Sequence, residues 1–273
     1  MLIPVPATLF EHAVNQTGEV AEPRDASTVV VVRDGVEGLE AYLLRRHQSM
    51  KFAPGMYVFP GGGVDAADAN IDVPWVGAAP SEWAARFGCS EDTARGLVCA
   101  AVRETFEESG VLLAGPDEHS VVADTSGTEW QAARLALEAH EYSFAEFLLD
   151  QGLVLRTDLL GAWSHWITPV FEPRRFDTRF FVAVLPEGQS VGHLAREADR
   201  ALWAPLSQVL AAVDAGNSAM LPPTHITCSE LAPLSAGGVL AASATRKIFP
   251  IVPELVEIDG KHFLRNPLGE DDD

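Results

Sequence analysis

The stretch RETFEESG, residues 103–110, carries four ionised side chains and ends in a glycine. On a helix, residues three and four positions apart share a face, so Glu104, Glu107 and Glu108 are neighbours. Like charges at this spacing cost an isolated helix about 0.2–0.5 kcal/mol per pair. The only cation in the stretch is Arg103. The chemistry of this segment therefore depends on what compensates three adjacent carboxylates.

The position of these acids relative to the apolar side of the helix indicates a divalent cation. At roughly 100° per residue, Glu108 projects between Leu97 and Ala101, two residues of the predicted buried stripe. Half-buried carboxylates need a cation, and carboxylates with water are the ligands that Mg²⁺ or Mn²⁺ prefers. The alternative is a solvated acidic face that ends at a glycine, and the local pattern leaves both interpretations open. The predicted stripe contains Leu97, Val98, Ala101, Val102 and Thr105.

Capping signals predict the helix that must carry the acidic stretch. Ser90 suits the N-cap, and the two acids that follow it suit the first turn, where the helix dipole favours negative charge. Gly110 suits the position that ends a helix in a left-handed conformation. A shorter helix is predicted at SEWAARFG, with Ser81 as its cap. The acids thus belong to the last two turns of a long helix.

Alternating and β-branched runs predict strands on both sides of this helix. Thr28–Arg33 and Leu39–Arg45 form a predicted hairpin, with Asp34 and Gly35 in its turn. In MYVFPGGGVD a short strand is predicted to end in a tight glycine loop that exposes its backbone. Later segments predict a helix over 129–150, strands in SHWITPVF, RFFVAVL and ALWAPL, helices in PLSQVLAAVDAG and LPPTHITCSELAPL, and a terminal strand pair around Asp259. This mixture predicts an α+β fold.

Composition narrows the classes of function. The chain has 273 residues and a formal net charge of −20, which argues against a nucleic-acid binder because such proteins need a basic surface. An anionic substrate would therefore need a bound metal or a local basic patch. Three widely spaced cysteines indicate a reducing compartment, so the cytoplasm is the expected location. We also expect no signal peptide and no membrane span, since no basic n-region or long apolar run is present.

The acidic stretch resembles the second half of the Nudix hydrolase signature. That signature has a glycine, five residues, a glutamate, seven residues and then Arg-Glu-apolar-x-Glu-Glu-x-Gly-apolar. Residues 103–111 match its last part, with Thr105 at an apolar position. Residues 59–68 match its first part, and Asp68 stands where the family has glutamate. The resemblance implies a Nudix fold, in which helices sandwich a mixed β-sheet.

The spacing between the two halves differs from the usual signature. Residues from about 69 to 92 would form an insertion inside the signature. In this respect the chain is similar to the coenzyme A diphosphatase branch of the family, whose signature is also split by a long insertion. We accordingly expect an N-terminal arm over 1–26 and one Nudix domain over 27–273. Extra C-terminal elements are expected over about 236–273.

The resemblance also implies an activity and a set of roles. It implies metal-dependent hydrolysis of the pyrophosphate bond in a nucleoside diphosphate derivative, with Mg²⁺ or Mn²⁺ as cofactor. Glu104 and Glu108 are the expected metal ligands, and Glu107 is a third ligand or the base that activates water. Arg103 is expected to orient one of these carboxylates through a bidentate pair. A further carboxylate from a later loop is expected at Glu197.

Residues before and within the glycine segment are the expected substrate contacts. Gly61 and Gly62 would let the backbone approach the metal and the phosphates. Arg46 and Lys51 would bind the substrate, in a stretch that partly matches the coenzyme A signature of Nudix enzymes. A second basic group, Arg174, Arg175 and Arg179, would also bring positive potential to an acidic protein, although each is equally compatible with a role in solubility.

The expected partner is a small-molecule nucleotide, such as coenzyme A or its acyl derivatives, and neither nucleic acid nor a membrane. A rival hypothesis is a catalytically silent Nudix-like domain that binds a nucleotide or a protein. An RNA-end hydrolase is disfavoured by the net charge of −20, because phosphate contacts dominate such affinity. The sequence leaves the oligomeric state open, with a homodimer as one option.

Overall fold

The computed structural model describes residues 2–4, 10, 13, 19–50, 53–69, 73–192 and 198–266. Its helices are α1 (Ala66–Ala69), α2 (Pro80–Phe87), α3 (Glu91–Ser109), α4 (Thr128–Glu138), α5 (Phe144–Asp150), α6 (Leu206–Asp214), α7 (Pro222–Leu231) and α8 (Ala236–Thr245). Its strands are β1 (Leu2–Pro4), β2 (Arg24–Gly35), β3 (Gly38–Arg46), β4 (Tyr57–Val58), β5 (Gly61–Gly63), β6 (Trp75–Val76), β7 (Ala114–Gly115), β8 (Val154–Arg156), β9 (Leu160–Ile167), β10 (Phe176–Val184), β11 (Ala198–Pro205), β12 (Pro250–Ile251), β13 (Glu254–Ile258) and β14 (Lys261–Arg265).

A mixed sheet forms the centre of the fold. Its strand order is β11-β3-β2-β10-β9-β12, with β4 paired to β3 and β5 paired to β2. The neighbours β2 and β10 run parallel, whereas β2 with β3 and β9 with β10 run antiparallel. Two small three-stranded sheets, β1-β14-β13 and β6-β8-β7, lie apart from it. The predicted α+β class with a mixed sheet is confirmed.

Helices cover both faces of this sheet, which explains its unbroken apolar runs. All four valines of 29–32 in β2 are fully buried, as expected for a strand without a solvent face. Val29 and Val31 pack in the core that contains α3, while Val30 and Val32 pack in the core that contains α7 and α8. The predicted sandwich of a mixed sheet between helices is therefore present.

The long helix α3 has the boundaries that its capping residues predict. The side chain of Ser90 accepts a hydrogen bond from the backbone of Thr93, and Gly110 ends the helix in a left-handed conformation with φ 79°. Every residue of the predicted stripe is buried. The helix ends at Ser109, so Glu104, Glu107 and Glu108 lie in its last two turns.

Several local predictions are wrong. Asp34 and Gly35 belong to β2, and Gly35 pairs with Gly38, so the hairpin turn lies at residues 36 and 37. Ser81 is not a cap: α2 starts one residue earlier, at Pro80, which suits the first turn because it lacks an N–H donor. The helix predicted over 129–150 is two helices, and α8 was not predicted.

The predicted glycine loop is also wrong in form. Residues 61–63 form the strand β5, which pairs antiparallel with Ala26–Thr28 of β2. Glycine disfavours strands in isolation, but here the neighbouring strand supplies the pairing, and tertiary context overrides propensity. The three glycines consequently form a strand without side chains next to the end of α3.

The predicted insertion and C-terminal segments contain regular elements. Within residues 73–92 the aromatic rings of Trp83 and Phe87 pack against Phe181 of β10. At the C-terminal end, α8 joins the second core through Ala236 and Val239, and β13 and β14 pair around Asp259. The division into an arm of 1–26 and a domain of 27–273 stays a prediction. Among the described helices, none combines the length and apolar character needed to cross a membrane.

Candidate active site

The acidic end of α3 lies directly against the glycine strand β5. The backbone N–H of Gly61 donates a hydrogen bond to Oε2 of Glu108 at 2.8 Å. A Cβ atom on Gly62 would overlap the carboxylate of Glu104, so only glycine permits this approach. The structure thus places both predicted glycines beside both predicted principal metal ligands.

Arg103 lies at the centre of this group of acids. Its Nη1 donates to Oε1 of Glu104 at 2.8 Å and to Oε1 of Glu107 at 3.3 Å. Its Nη2 donates to the carbonyl oxygen of Gly63 at 2.9 Å. Only 5% of its surface is exposed. Arg103 therefore orients two of the three carboxylates and also the backbone of the glycine strand.

The bidentate partner of Arg103 is Asp68, which differs from the prediction. Nε of Arg103 lies 3.1 Å from Oδ1 of Asp68, and Nη2 lies 2.9 Å from Oδ2. Asp68 is 2% exposed, and the thiol of Cys99 lies 3.4 Å from its Oδ1. A bidentate guanidinium pair also fixes orientation. The two halves of the split signature, 35 positions apart at this pair, are thus joined in the interior.

The site holds more negative charge than Arg103 compensates. Burial raises the pKa of Glu104 to about 7, against the lowering effect of Arg103 and with a further rise from Glu107. Burial likewise raises the pKa of Glu107 to about 6, although Arg103 opposes it. A nearby cation favours the ionised form of a carboxyl group. A bound cation at this site would therefore lower the pKa of both carboxyl groups and stabilise their ionised forms.

The oxygen donors at this site fit Mg²⁺ or Mn²⁺. Glu104 and Glu108 both lie against the strand 61–63, and carboxylates are ligands that these hard cations prefer. Within the described ranges, no three His, Cys, Asp or Glu side chains converge on one point. Mg²⁺ usually binds through one or two carboxylates and keeps several waters, so a pair of glutamates is sufficient.

A cavity of about 230 Å³ adjoins the carboxylates on the side of α1, α4 and α5. Asp65, Asp68, Arg103 and Glu107 line one wall, and Leu137, His140, Tyr142 and Phe144 line the other. His140 adopts φ 53°, and its Nδ1 lies 3.6 Å from Oδ2 of Asp65. The sequence shows only helical periodicity in this second wall, so none of its residues was predicted as part of the site. The available signal was the capping box of Ser143 and Glu146, which marks the start of a second helix.

The predicted substrate contacts are only partly described. Arg46 ends β3 and is half-buried, and its backbone bonds to Met56 and Gly55. Its neighbour Arg45 forms an ion pair with Asp199 at 2.7 Å. Lys51 and Glu197, which were predicted as a substrate contact and a further carboxylate, lie outside the described residues.

Comparisons with known proteins agree with this geometry. The family model of the NUDT19 Nudix domain matches residues 89–231, which is just over half of the chain. The acyl-coenzyme A diphosphatase NUDT19 of Xenopus laevis is 29% identical over 199 residues, covering 60% of this chain and 52% of that protein. Its Homo sapiens counterpart is 31% identical over 188 residues, covering 55% and 49%. The chain spans about half the length of these curated relatives.

A solved structure extends the similarity beyond the matched range. The crystal structure of a NUDIX hydrolase from Alicyclobacillus acidocaldarius superposes with a TM-score of 0.69 at 28% identity. It covers 84% of this chain and 99% of that chain. The family match contains the whole of α3, including its acidic end. The chain therefore belongs to the Nudix hydrolase family, in the branch of the NUDT19 Nudix domain.

Proposed function

We propose that this protein hydrolyses the pyrophosphate bond of a nucleoside diphosphate derivative, with coenzyme A or an acyl-coenzyme A as substrate. The observation that carries the proposal is the meeting of Glu104 and Glu108 with the strand 61–63. The printed names of the Xenopus and human relatives, acyl-coenzyme A diphosphatases, support the substrate. Such a substrate is a polyanion and requires positive charge at the site.

Glu104 and Glu108 would hold Mg²⁺ or Mn²⁺, with Glu197 proposed as a further catalytic carboxylate. When bound, such an ion neutralises phosphate charge and lowers the pKa of a coordinated water. Gly61 and Gly62 would let the backbone approach the metal and the phosphates beside these carboxylates. Arg46 and Lys51 would contribute positive charge to substrate binding.

Glu107 is proposed as the base that takes a proton from the attacking water. Its pKa of about 6 leaves it mostly ionised at neutral pH while keeping it close to the operating range of a general base. Arg103 holds the Glu107 carboxylate at 3.3 Å, so the base is oriented before substrate arrives. Arg103 therefore acts as a positioning residue.

The test is product analysis by mass spectrometry after incubation with coenzyme A, acyl-coenzyme A, a dinucleotide and a nucleoside diphosphate sugar. We expect coenzyme A to yield adenosine 3′,5′-bisphosphate and phosphopantetheine with Mg²⁺ or Mn²⁺, and no product with EDTA. A folded protein that is inert on every compound would contradict the proposal. If one nucleotide then raised its melting temperature, the protein would be a binding domain.

We also propose a cytoplasmic location, with a homodimer as one option for the oligomeric state. The three cysteines are free thiols, and two of them are buried, which agrees with a reducing compartment.

A further inference from the structure

A second cavity, of about 630 Å³, lies where the parallel strands β2 and β10 begin. We call it the basic cleft and define it by residues 21–24 and 173–176, which line it. Its volume falls within the range of roughly 300–1,000 Å³ that is usual for small-molecule sites. Its lining includes three arginines, one carboxylate and one aromatic ring: Arg24, Arg174, Arg175, Glu22 and Phe176.

The arginines of the basic cleft are unusual in a chain with a net charge of −20. Other arginines of this chain form ion pairs with carboxylates. For example, Nε of Arg33 lies 2.7 Å from Oε2 of Glu40. Among the described residues, no carboxylate lies within 4.0 Å of the guanidinium groups of Arg24, Arg174 and Arg175. Unpaired positive charges in a concave surface concentrate anions. The basic cleft therefore carries a net positive charge on an acidic protein.

The walls of the basic cleft are fixed by its third arginine. Arg175 donates from Nη1 to the carbonyl oxygen of Ala21 at 2.8 Å and from Nε to that of Thr168 at 3.0 Å. The backbone N–H of Arg24 in turn donates to the carbonyl oxygen of Arg175 at 3.0 Å. Arg175 thus holds both walls together, while the exposed side chains of Arg24 and Arg174 remain available to a ligand.

An aromatic ring beside the arginines indicates a phosphorylated nucleoside. The guanidinium carbon of Arg174 lies 5.9 Å from the ring centroid of Phe176. Aromatic rings stack on bases, whereas arginine forks bind phosphate oxygens and also stack. The combination provides recognition for both parts of a nucleotide.

Strand register places the start of the basic cleft close to the carboxylates along β2. Arg24 precedes Ser27 by three residues on β2, and Ser27 pairs with Gly62, which contacts Glu104. At about 3.4 Å per residue, this separation is roughly 10 Å. A Cβ atom on Gly63 would meet nothing within 4 Å. Because Gly63 pairs with Ala26, that open space lies on the face from which Arg24 projects, opposite to the face on which Gly62 contacts Glu104.

We propose that the basic cleft binds the phosphomonoester of a 3′-phosphorylated adenosine, which is the nucleotide end of a coenzyme A substrate. Arg24 and Arg174 bind the 3′-phosphate, and the base lies against Phe176. The diphosphate then passes around the edge of β5 at Gly63 to reach Glu104 and Glu108 on the other face. The link to hydrolysis rests on the proposed function, whereas binding to the basic cleft does not require catalysis.

Calorimetric titration in EDTA tests the site without turnover. The probes are adenosine 3′,5′-bisphosphate and AMP, which differ by the 3′-phosphate. The wild type is expected to bind the bisphosphate about tenfold more tightly, as one charge-assisted contact allows. Arg24→Gln with Arg174→Gln should abolish this preference. Arg33→Gln removes one positive charge near the other end of β2, as the single Arg24→Gln variant does at its start, and should retain it.

Turnover provides the second readout. The ratio of the KM for dephospho-coenzyme A to that for coenzyme A should be well above one in the wild type and fall towards one in the double variant. Equal affinity of the wild type for both probes, or an unchanged preference in the double variant, would overturn the inference. If the double variant fails to fold, the single Arg24→Gln variant is used. A wild type that hydrolyses nothing would refute the proposed function, and the titration would still decide the basic cleft.

Discussion

Glu108 accepts a hydrogen bond from the backbone N–H of Gly61 at 2.8 Å, although 47 positions separate the two residues. This hydrogen bond connects the C-terminal end of α3 to the glycine strand β5. It holds one carboxylate oxygen in place by means of a backbone group that no substitution of Gly61 removes, except proline. The acidic end of the helix and the glycine strand therefore behave as one unit.

Glu108→Gln should distinguish the role of the Glu108 charge in metal binding from its role in the fold. A glutamine oxygen can still accept the hydrogen bond from Gly61, so the fold is retained, but the anionic ligand is lost. We expect turnover of coenzyme A to fall by more than the roughly 10–100-fold that loss of a residue supporting a metal ligand costs. Glu91→Gln, an exposed change in the first turn of the same helix, should keep wild-type turnover. Full activity in Glu108→Gln would exclude the proposed ligand.

Gly62→Ala should displace one carboxylate without unfolding the protein. The added methyl group overlaps the end of the Glu104 side chain, which is flexible enough to move away. Displacement of a reacting group by about 1 Å can cost roughly 10²-fold in rate. Electron paramagnetic resonance of Mn²⁺ should show weaker binding by Gly62→Ala, whereas Gly63→Ala, where a methyl group meets nothing within 4 Å, should bind Mn²⁺ like the wild type. Equal Mn²⁺ affinity in both variants would contradict the arrangement.

Asp68→Ala should destabilise the whole protein. It removes the bidentate partner of a buried guanidinium, and breaking a buried ion pair costs about 3–5 kcal/mol in free energy of unfolding. We expect the lower end of that range, because Glu104 still contacts Arg103. Asp65→Ala, which removes a half-exposed carboxylate 3.9 Å from the same guanidinium, should cost less than about 1 kcal/mol. Urea denaturation measures both, and similar losses would show that the Asp68 pair is not central.

The raised pKa of Glu104 predicts how metal-free stability depends on pH. Its value of about 7 lies above the ordinary 4.5, so between these pH values the folded state binds more protons than the unfolded state. The free energy of unfolding therefore falls as pH rises through this range. In EDTA, urea denaturation should show this fall, and Glu104→Gln should flatten it. Mn²⁺ at pH 8 should restore stability by mass action. An unchanged slope in Glu104→Gln would contradict the assignment.

Local signals sufficed for the helix that carries the site. Ser90 and Gly110 set the ends of α3 through contacts within a few residues, so its boundaries were visible in the sequence. The β2 and β3 hairpin was likewise visible, because alternation and β-branching act over short distances. The prediction of carboxylates beside a glycine segment followed from the signature and the helical period together.

Contacts between distant segments were not visible. The pairing of Asp68 with Arg103 depends on how α1 packs on α3, and no local pattern encodes it. The strand at 61–63 forms only because β2 offers a partner, since glycine alone does not favour strands. The basic cleft combines Arg24 with Arg174 through the parallel pairing of β2 and β10, and the sequence showed only the second basic run.

The central claim is that Glu104 and Glu108 hold a divalent cation beside the glycine strand. The most direct measurement is the anomalous scattering of a crystal soaked in Mn²⁺. We predict a manganese peak bound by both carboxylates next to Gly61 and Gly62. Saturating Mn²⁺ that leaves no peak between these two side chains would contradict the account.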